Sequence, residues 1–363
     1  MIPFADLKRQ YRSIKKEIDN CVLKNIENTS FVGGTQITEF EESFASFVDV
    51  NFCVSCANGT DSIEILLKAM GIKENDEVLV PAISWISTSE AVSSLGAIPV
   101  FVDIDPNNYT IDTNLISSKI TNKTKAIIPV HLYGQPCDMK AIMKIAKEYK
   151  LKVLEDCAQA HGAKIEGQHV GTFGDAASFS FYPGKNLGAF GYAGCMITNN
   201  KIIEKKARQI ANHGQEGKHN HIIEGRNSRL DTIQASILSV KLRYLNKWIK
   251  ERNRIGFTYI EGIKNPKIKT PVISKFTFHA FHLFVIRTEK RSDLIQFLRK
   301  NGIGSSIHYP TALPFLKCYK KMNYKKSDFP IAYNYQDKIL SIPIFPELEA
   351  CEIEKIIDSL NKF

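Results

Sequence analysis

The chain has 363 residues, 44% of them hydrophobic and 24% charged, which is typical of an ordinary soluble globular protein with room for two domains. Its formal net charge is +10, but acids are interleaved with the lysines along helical patterns and no nucleic-acid-binding motif accompanies them, so we expect no nucleic-acid partner. No segment approaches the ~20 apolar residues of a membrane span, and residues 1–8 lack the apolar region of a signal peptide, so we expect no membrane partner and a cytoplasmic location.

Between residues 50 and 200, short apolar runs alternate with helical patterns. The runs are continuous, which favours strands covered on both faces of a sheet. Strand, helix and strand at this spacing predict βαβ units and a mostly parallel sheet, in which ligands bind beyond the carboxyl ends of the strands. The predicted strands are 52–56, 77–80, 98–102, 126–130, 152–155, 176–181 and 194–198, and the predicted helices are 62–70, 88–94 and 139–149.

The pattern changes in the last third of the chain. Residues 229–252 show apolar positions near a period of 3.6, which predicts a long amphipathic helix. We therefore predict an α/β protein with a large domain over 1–245, including a helical N-terminal segment, and a smaller C-terminal α+β domain over 246–363. The smaller domain has predicted strands at 276–287, 305–309 and 340–344 and predicted helices at 293–301 and 352–360.

One lysine, Lys185, follows a short β-prone run and a turn at Pro183 and Gly184, and a Gly-rich stretch comes after it. A lysine on a tight turn after a buried strand is held in place and partly desolvated. Desolvation lowers the pKa of the amine and makes a neutral nucleophile available. The alternative is an ordinary lysine of a surface turn.

An acid, Asp156, lies at the carboxyl end of the predicted strand 152–155, with Gln159 and His161 after it. This position favours a functional site, although a salt-bridged surface acid is the alternative. Because Asp156 and Lys185 both follow strands, a parallel topology brings them together. A lysine for an aldehyde and an aspartate for a pyridinium nitrogen form the pair that pyridoxal phosphate requires, so we predict this cofactor.

Further positions fit the same cofactor, each with a structural alternative. Gly59 and Thr60 open a helix after the first predicted strand, where backbone N–H groups could bind a phosphate, but this sequence is also an ordinary helix cap. Trp85 follows the second predicted strand, where it could stack on a cofactor ring or pack in the core. Ser180, five residues before Lys185, could bind a phosphate or a neighbouring strand.

The eight cysteines do not form a metal-ligand pattern. Only Cys53 and Cys56 lie close together in the sequence, and no second pair accompanies them. Zinc and iron–sulfur sites require more clustered ligands. We therefore expect reduced thiols and no metal.

Taken in order, these motifs resemble the DegT/DnrJ/EryC1/StrS family of sugar aminotransferases, which use pyridoxal phosphate and have the type I fold of aspartate aminotransferase. The resemblance runs almost from end to end, from residues 2–8 to residues 308–310 and beyond. One branch of the family has a histidine in place of the lysine and performs dehydration or deoxygenation. Because this chain keeps Lys185 and lacks the clustered cysteines of the iron–sulfur members, the resemblance implies transamination.

The resemblance also implies roles for individual residues. Lys185 is similar to the Schiff-base lysine, which also transfers protons, and Asp156 to the partner of the pyridine nitrogen. Gln159 resembles the residue that contacts the hydroxyl group of the cofactor ring, and Trp85 resembles the residue that stacks on that ring. Asn227 resembles an asparagine that reaches the phosphate from the other subunit, which implies a homodimer with shared active sites. The remaining members of the implied phosphate cup are Gly59, Thr60 and Ser180.

Glutamate is the amino donor that the resemblance implies, and the acceptor is a nucleotide-linked keto-sugar. Residues 213–215 and 227–231 are most similar to the subgroup that aminates C3 of dTDP-3-keto-6-deoxyhexoses or UDP-linked 3-keto sugars, for amino-sugar and lipopolysaccharide biosynthesis. Amination at C4 is an alternative, and a non-catalytic regulatory protein that binds pyridoxal phosphate is an alternative from another class. The implied contacts of the sugar or its pyrophosphate are Tyr182, Lys218, His308 and Tyr309, although residues 308–310 could equally be a strand end that packs against the large domain.

Overall fold

The computed structural model describes residues 1–363, with a seven-stranded central sheet and two small sheets. The strands are β1 (Phe52–Cys56), β2 (Glu77–Pro81), β3 (Ile98–Val102), β4 (Thr124–Ile127), β5 (Lys152–Asp156), β6 (Lys164–Ile165), β7 (Gln168–His169), β8 (Ala176–Ser180), β9 (Gly194–Thr198), β10 (Thr277–Phe278), β11 (Phe284–Arg287) and β12 (Ile339–Ile342). The helices are α1 (Leu7–Ser13), α2 (Lys15–Glu27), α3 (Thr35–Val48), α4 (Gly59–Ala69), α5 (Ser87–Ser93), α6 (Thr113–Ile116), α7 (Met139–Tyr149), α8 (Lys201–Ala211), α9 (Thr232–Gly262), α10 (Arg291–Lys300), α11 (Pro330–Tyr335) and α12 (Ala350–Lys362). No helix is both long enough and apolar enough to span a membrane.

The central sheet has the strand order β1-β9-β8-β5-β4-β2-β3. β9 pairs antiparallel with both of its neighbours, and every other pair in this sheet is parallel. The predicted mostly parallel sheet is therefore confirmed. The six strands other than β9 point the same way, so their carboxyl ends lie along one edge, which is where ligands bind in sheets of this kind.

Helices cover both faces of the central sheet, as the continuous apolar strands predict. On one face, α4, α5 and α8 pack against strand residues such as Val80 and Leu154. On the opposite face, α3 and α9 bury Phe44 and Leu238 around Phe179, and α7 packs on the neighbouring strands. Each fully buried side chain of this size stabilises the fold by roughly 1.5–3 kcal/mol.

The long helix α9 connects two hydrophobic cores. Its first half, with Leu238 and Leu245, lies in the core beneath the central sheet. Its second half, with Ile255 and Tyr259, belongs to a separate core with β11, β12, α10 and α12. The predicted division between residues 245 and 246 falls inside this helix, and it stays a prediction.

The C-terminal part of the chain differs from the sequence prediction at two places. The predicted strand 276–287 is split into β10 and β11. The predicted strand 305–309 is wrong, because only an isolated bridge between Ser306 and Ser341 forms there. The backbone carbonyl of His308 instead accepts a hydrogen bond from the Tyr133 hydroxyl, and the Tyr309 hydroxyl accepts one from Gln159. Hydrogen bonds to Tyr133 and Gln159, in the loops after β4 and β5, therefore replace strand pairing at His308 and Tyr309.

Candidate active site

Four strands of the central sheet place all of the predicted cofactor residues except Asn227 along one edge. β1, β2, β5 and β8 run in the same direction, so the loops that follow them meet at the carboxyl edge. Gly59 and Thr60 follow β1, and Trp85 follows β2. Asp156 is the last residue of β5, and Gln159 lies in the loop after it. Ser180 is the last residue of β8, and Lys185 lies in the loop that follows.

The first turn of α4 forms a cradle suited to an anion. Asn58 caps this eleven-residue helix by accepting a backbone hydrogen bond at 2.8 Å, and the helix end carries a partial positive charge and unpaired N–H groups. A Cβ atom at Gly59 would stand 2.7 Å from Cβ of Ser180, so only glycine fits there. Thr60 Oγ1 lies 2.6 Å from Ser87 Oγ, which adds two hydroxyl groups beside the turn. Hydroxyl and amide donors at a helix start are a typical phosphate site.

Asp156 is 4% exposed and lies at the centre of the carboxyl edge. Its Oδ1 accepts a hydrogen bond from the Ala158 N–H at 3.1 Å, and its Oδ2 accepts one from the Thr88 hydroxyl at 2.8 Å. Burial raises the pKa of this carboxyl above its ordinary value, although these two hydrogen bonds and the charge of Lys185 oppose the effect. Such a buried acid is stabilised in its ionised form when a cationic N–H group binds to it.

Lys185 is half-buried in the loop after β8, and its backbone N–H donates to the Tyr182 carbonyl at 2.8 Å. Burial lowers the pKa of its amine to about 8, against the opposing attraction of Asp156. The structure thus gives this lysine the lowered pKa that the turn predicts. A neutral amine is therefore accessible near neutral pH, as nucleophilic and proton-transfer chemistry require.

Gln159 links both sides of the edge. Its Oε1 accepts from the Tyr133 N–H at 2.8 Å, and its Nε2 donates to the Tyr309 hydroxyl at 2.9 Å. The Tyr309 ring lies 5.4 Å from that of Trp85, at an angle of 45°. Trp85 itself is 56% exposed, so it is not a core residue and its ring face is available to a ligand. The predicted substrate residue Tyr309 therefore contacts two predicted cofactor residues.

The other predicted substrate and phosphate residues are more exposed to solvent than Asp156 and Gln159. Tyr182 is 53% exposed beside Lys185. His308 is half-buried, its Nδ1 lies 2.8 Å from Ser341 Oγ, and burial together with the charge of Lys185 lowers its pKa to about 4. Lys218 and Asn227 are exposed between α8 and α9, and no hydrogen bond joins them to the carboxyl-edge residues.

The sequence prediction missed three contributors to this edge. Thr88 donates to Asp156, Ser87 pairs with Thr60, and Tyr133 donates its backbone N–H to Gln159. Ser87 and Thr88 lie after a parallel strand, and that position was the available signal for them. The hydrogen bond from Tyr133 to Gln159 could not be predicted from the sequence, because the donor is the backbone N–H group that any residue other than proline has.

A second polar group lies behind the edge, where the donor atoms of His131, Glu155 and Cys157 fall within 4.8 Å of one another. His131 Nδ1 accepts from the Cys137 N–H at 3.0 Å, so Nε2 carries the proton and donates to Glu155 at 2.9 Å. Both ring nitrogens of His131 are therefore engaged. Glu155 accepts three more hydrogen bonds at 2.7–2.8 Å, from the backbone N–H groups of Gly171, Phe173 and Gly174. We call Glu155 with these four donor residues the Glu155 network.

The residues at the carboxyl edge fit pyridoxal phosphate. The α4 cradle, which a Cβ at Gly59 would fill, offers N–H and hydroxyl donors to a phosphate. Asp156 is a buried carboxylate with unused lone pairs, as a pyridinium N–H requires, and the lowered pKa of Lys185 suits an amine that reacts with an aldehyde. Hence the phosphate, the pyridine nitrogen and the aldehyde of the cofactor each have a matching group in the chain.

Comparison with known proteins gives the same class. The DegT/DnrJ/EryC1/StrS aminotransferase family model matches residues 12–361. The dTDP-3-amino-3,6-dideoxy-alpha-D-galactopyranose transaminase of Aneurinibacillus thermoaerophilus is 41% identical over 100% of this chain and 99% of that protein. A protein of Geobacillus stearothermophilus named "Pleiotropic regulatory protein" is 39% identical over 100% of this chain and 98% of its own length. The crystal structure of S. venezuelae DesV in complex with a ketimine intermediate superposes with a TM-score of 0.97 at 36% identity, covering 99% of this chain and 98% of DesV.

The fold and these comparisons define an aminotransferase of the type I fold with pyridoxal phosphate as its cofactor. More particularly, the chain belongs to the DegT/DnrJ/EryC1/StrS aminotransferase family. The resemblance read from the sequence motifs is confirmed. The roles of the individual site residues stay predictions.

Proposed function

We propose that the protein transfers an amino group from glutamate to C3 of a nucleotide-linked keto-sugar, and specifically of a dTDP-3-keto-6-deoxyhexose. The convergence of Lys185, Asp156 and the α4 cradle at one sheet edge carries the proposal of transamination. The sugar-transaminase relative at 41% identity supports the choice of substrate. The product would enter amino-sugar synthesis for lipopolysaccharide or another surface glycoconjugate, in the cytoplasm.

Pyridoxal phosphate, when bound, takes up the amino group of the donor and withdraws electrons from the carbon that loses a proton. The chain supplies the groups that bind and orient it. Asp156 would hold the proton on the pyridine nitrogen, Gln159 would bind the ring hydroxyl, and Trp85 would cover one ring face. The phosphate would be bound by the α4 N–H groups with Gly59, Thr60 and Ser180.

Lys185 would act as the general base and acid. With a pKa of about 8, its amine exchanges protons readily near neutral pH, so it can remove the proton from the α-carbon of glutamate and return a proton to the sugar carbon. Lys185 has no side-chain hydrogen bond to another residue, so its amine is not held away from the reacting atoms.

The sugar nucleotide would bind above this edge. Tyr182 is exposed next to Lys185, and His308 and Tyr309 enter from the C-terminal part of the chain beside Gln159 and Trp85. Lys218 is an exposed cation suited to a diphosphate. Because the pKa of His308 is lowered to about 4, this side chain is neutral at pH 7 and would contact the sugar as a hydrogen-bonding group.

The test is a panel of nucleotide-linked keto-sugars incubated with glutamate, with products identified by mass spectrometry and NMR. We expect amination at C3 of a dTDP-linked 3-keto-6-deoxyhexose, with Lys185→Ala as the inactive control. A product aminated at C4, or turnover only with UDP-linked ketones, would support the same chemistry on another substrate. If no member of the panel is aminated while a simple α-keto acid is, the sugar assignment fails.

We also propose a homodimer in which Asn227 reaches the phosphate of the other subunit. Asn227 is exposed and its side chain accepts only from Arg229 at 3.1 Å, so the amide is free to reach outwards. Asn227→Ala should weaken cofactor binding by roughly 1.5–3 kcal/mol, the contribution of a hydrogen bond to a charged group. In mixtures of Lys185→Ala and Asn227→Ala chains, a shared site predicts more activity than the average of the two homodimers. Activity equal to that average would place each site within one chain.

A non-catalytic regulator that binds the cofactor is the second candidate, and the relative named "Pleiotropic regulatory protein" favours it. The two candidates differ in a simple observation. Either protein should be yellow as purified because both bind the cofactor, but glutamate should bleach the absorption band of the bound cofactor only in a transaminase. A protein that does not respond to glutamate but binds a defined DNA sequence would support the regulator.

A further inference from the structure

Helix α9 contacts the backbone just after Lys185 at two points. The Phe190 N–H donates to Gln234 Oε1 at 2.7 Å, and Lys241 Nζ donates to the Gly188 carbonyl. Because Gln234 and Lys241 are seven residues apart, they lie on the same face of the helix, about two turns from each other. One helix face therefore binds the segment that carries Lys185.

This segment, the lysine loop (residues 182–190), is compact. Its turn is closed by the Lys185 N–H, which donates to the Tyr182 carbonyl at 2.8 Å. Gly188 folds back on the same turn, since a Cβ at this position would stand 2.2 Å from the Pro183 carbonyl oxygen. A displacement of Gly188 would therefore be transmitted to the turn that presents Lys185.

Lys241 is an unusual residue for a structural role. It is 2% exposed, its ammonium has Gly188 O as its one hydrogen-bond partner, and it lies 5.5 Å from the centre of the exposed Phe190 ring. Burial lowers its pKa from 10.5 to about 8, and Glu347 is the facing acid that opposes this shift. Stability associated with a lowered amine pKa is present above pH 10.5 and is lost as the pH falls through about 8. At pH 7, Lys241 therefore costs the fold free energy.

We propose that Gln234 and Lys241 clamp the lysine loop, and that Lys241 is a positioning residue that holds Lys185 in its desolvated place at the carboxyl edge. The inference rests on the proposed role of Lys185. It explains why a buried ammonium is retained where an apolar side chain of similar length would leave the fold as stable or more stable.

The test replaces Lys241 by methionine, with the exposed Lys247→Met on the same helix as the matched control. Acetic anhydride is applied to the cofactor-free, full-length chain over a range of pH, and acetylation of Lys185 is measured by mass spectrometry. In Lys241→Met, a loosened loop admits water to Lys185, so the midpoint of acetylation should rise by about one pH unit. Amide hydrogen exchange over residues 185–190 should become about tenfold faster, while the thermal midpoint at pH 7 stays equal or rises.

The clamp is overturned if acetylation and exchange in Lys241→Met match those of Lys247→Met, or if only the thermal midpoint falls. Should Lys241→Met fail to fold, Gln234→Leu decides, because it removes the other contact and keeps the lysine. A smaller shift in the same direction supports the clamp, and an unchanged profile overturns it. Borohydride reduction of the loaded wild-type protein tests the proposed function separately, since attachment of the cofactor to a residue other than Lys185 would refute that function and leave the clamp result standing.

Discussion

Glu155 and Asp156 are adjacent carboxylates on β5, and their environments differ in one decisive respect. Successive residues of a strand face opposite sides of a sheet, so the two side chains lie in different surroundings although both are buried. Glu155 accepts four hydrogen bonds, which saturates its lone pairs. Asp156 accepts two, one on each oxygen, and burial raises its pKa.

The difference separates an acid that holds the fold from an acid suited to chemistry. Glu155 ties β5 to the loop before β8 and has no capacity left for a ligand. Asp156 keeps an unused lone pair on each oxygen, and its raised pKa means that its charge is incompletely compensated. A buried acid in this state gains free energy when a cationic partner binds, which is what a pyridinium nitrogen provides. Substitutions at Asp156 and its catalytic neighbours should therefore lower activity, whereas substitutions at Glu155 should lower stability.

The largest effect is expected for Lys185→Ala, which changes the lysine that shares the carboxyl edge with Asp156. Removal of the general base should lower kcat by about 10⁴-fold, the upper end for such a group. The half-buried side chain of Lys185 makes no hydrogen bond to another residue, so the thermal midpoint should change little. Steady-state kinetics with glutamate and circular dichroism would measure both, and Lys247→Met is a suitable surface control. Wild-type activity in Lys185→Ala would refute its assigned role.

Asp156→Asn is expected to have the next largest effect. The amide keeps the size of the side chain but cannot hold the pyridinium proton, so kcat should fall by about 10²–10³-fold while the cofactor still binds. Absorbance of the bound cofactor and single-turnover rates with glutamate would separate binding from chemistry. If the variant transaminates at the normal rate, Asp156 is structural and the distinction from Glu155 is lost.

Glu155→Gln should show the opposite pattern. Its amide NH₂ must face some of the four donors of the Glu155 network, leaving about two N–H groups without an acceptor and costing about 3 kcal/mol of unfolding free energy. Denaturant unfolding would measure the loss, with the exposed Glu148→Gln as control. The activity of the molecules that remain folded should stay near wild type. A variant with normal stability and a lowered kcat would assign Glu155 to the active site.

The sequence was sufficient for the sheet, for its parallel character and for the positions of Asp156 and Lys185, because these depend on local apolar runs and on residues next to them. The sequence placed Asp156 just after the predicted strand 152–155, but it did not indicate that the neighbouring Glu155 is saturated by hydrogen bonds while Asp156 is not. The difference between them arises from donors distant in the sequence, such as Thr88 and Gly171.

Contacts across the fold also explain the remaining misses. Residues 305–309 have a strand-like pattern, yet the partners of His308 and Tyr309 are the Tyr133 and Gln159 side chains rather than a neighbouring strand. Likewise, Lys241 lies on the apolar face of the helix pattern, four residues after Ile237 and four before Leu245, so the periodicity indicates its burial but not its partner. Its contact with Gly188 is visible only when α9 is packed against the lysine loop.

The smallest effect is expected for Thr88→Val, which changes one donor of Asp156 and leaves the shape of the side chain. The hydroxyl of Thr88 lowers the pKa of Asp156, so its loss should raise that pKa further. An acid with a higher pKa loses its charge at a higher pH, so the acid limb of the kcat profile should move towards neutral pH. At pH 7, kcat should fall about tenfold, in line with a hydrogen bond to a charged group.

The conservative variant Thr88→Ser distinguishes this hydrogen bond from packing. Serine keeps the hydroxyl and loses the methyl group, so it should restore the acid limb even if the thermal midpoint falls slightly. Ser84→Ala is a further control, because Ser84 lies 2.8 Å from the Thr88 hydroxyl without bonding to Asp156. If Thr88→Val and Thr88→Ser have the same pH profile, the hydroxyl does not tune Asp156. The contrast with Glu155 would then depend on burial and on the number of backbone donors alone.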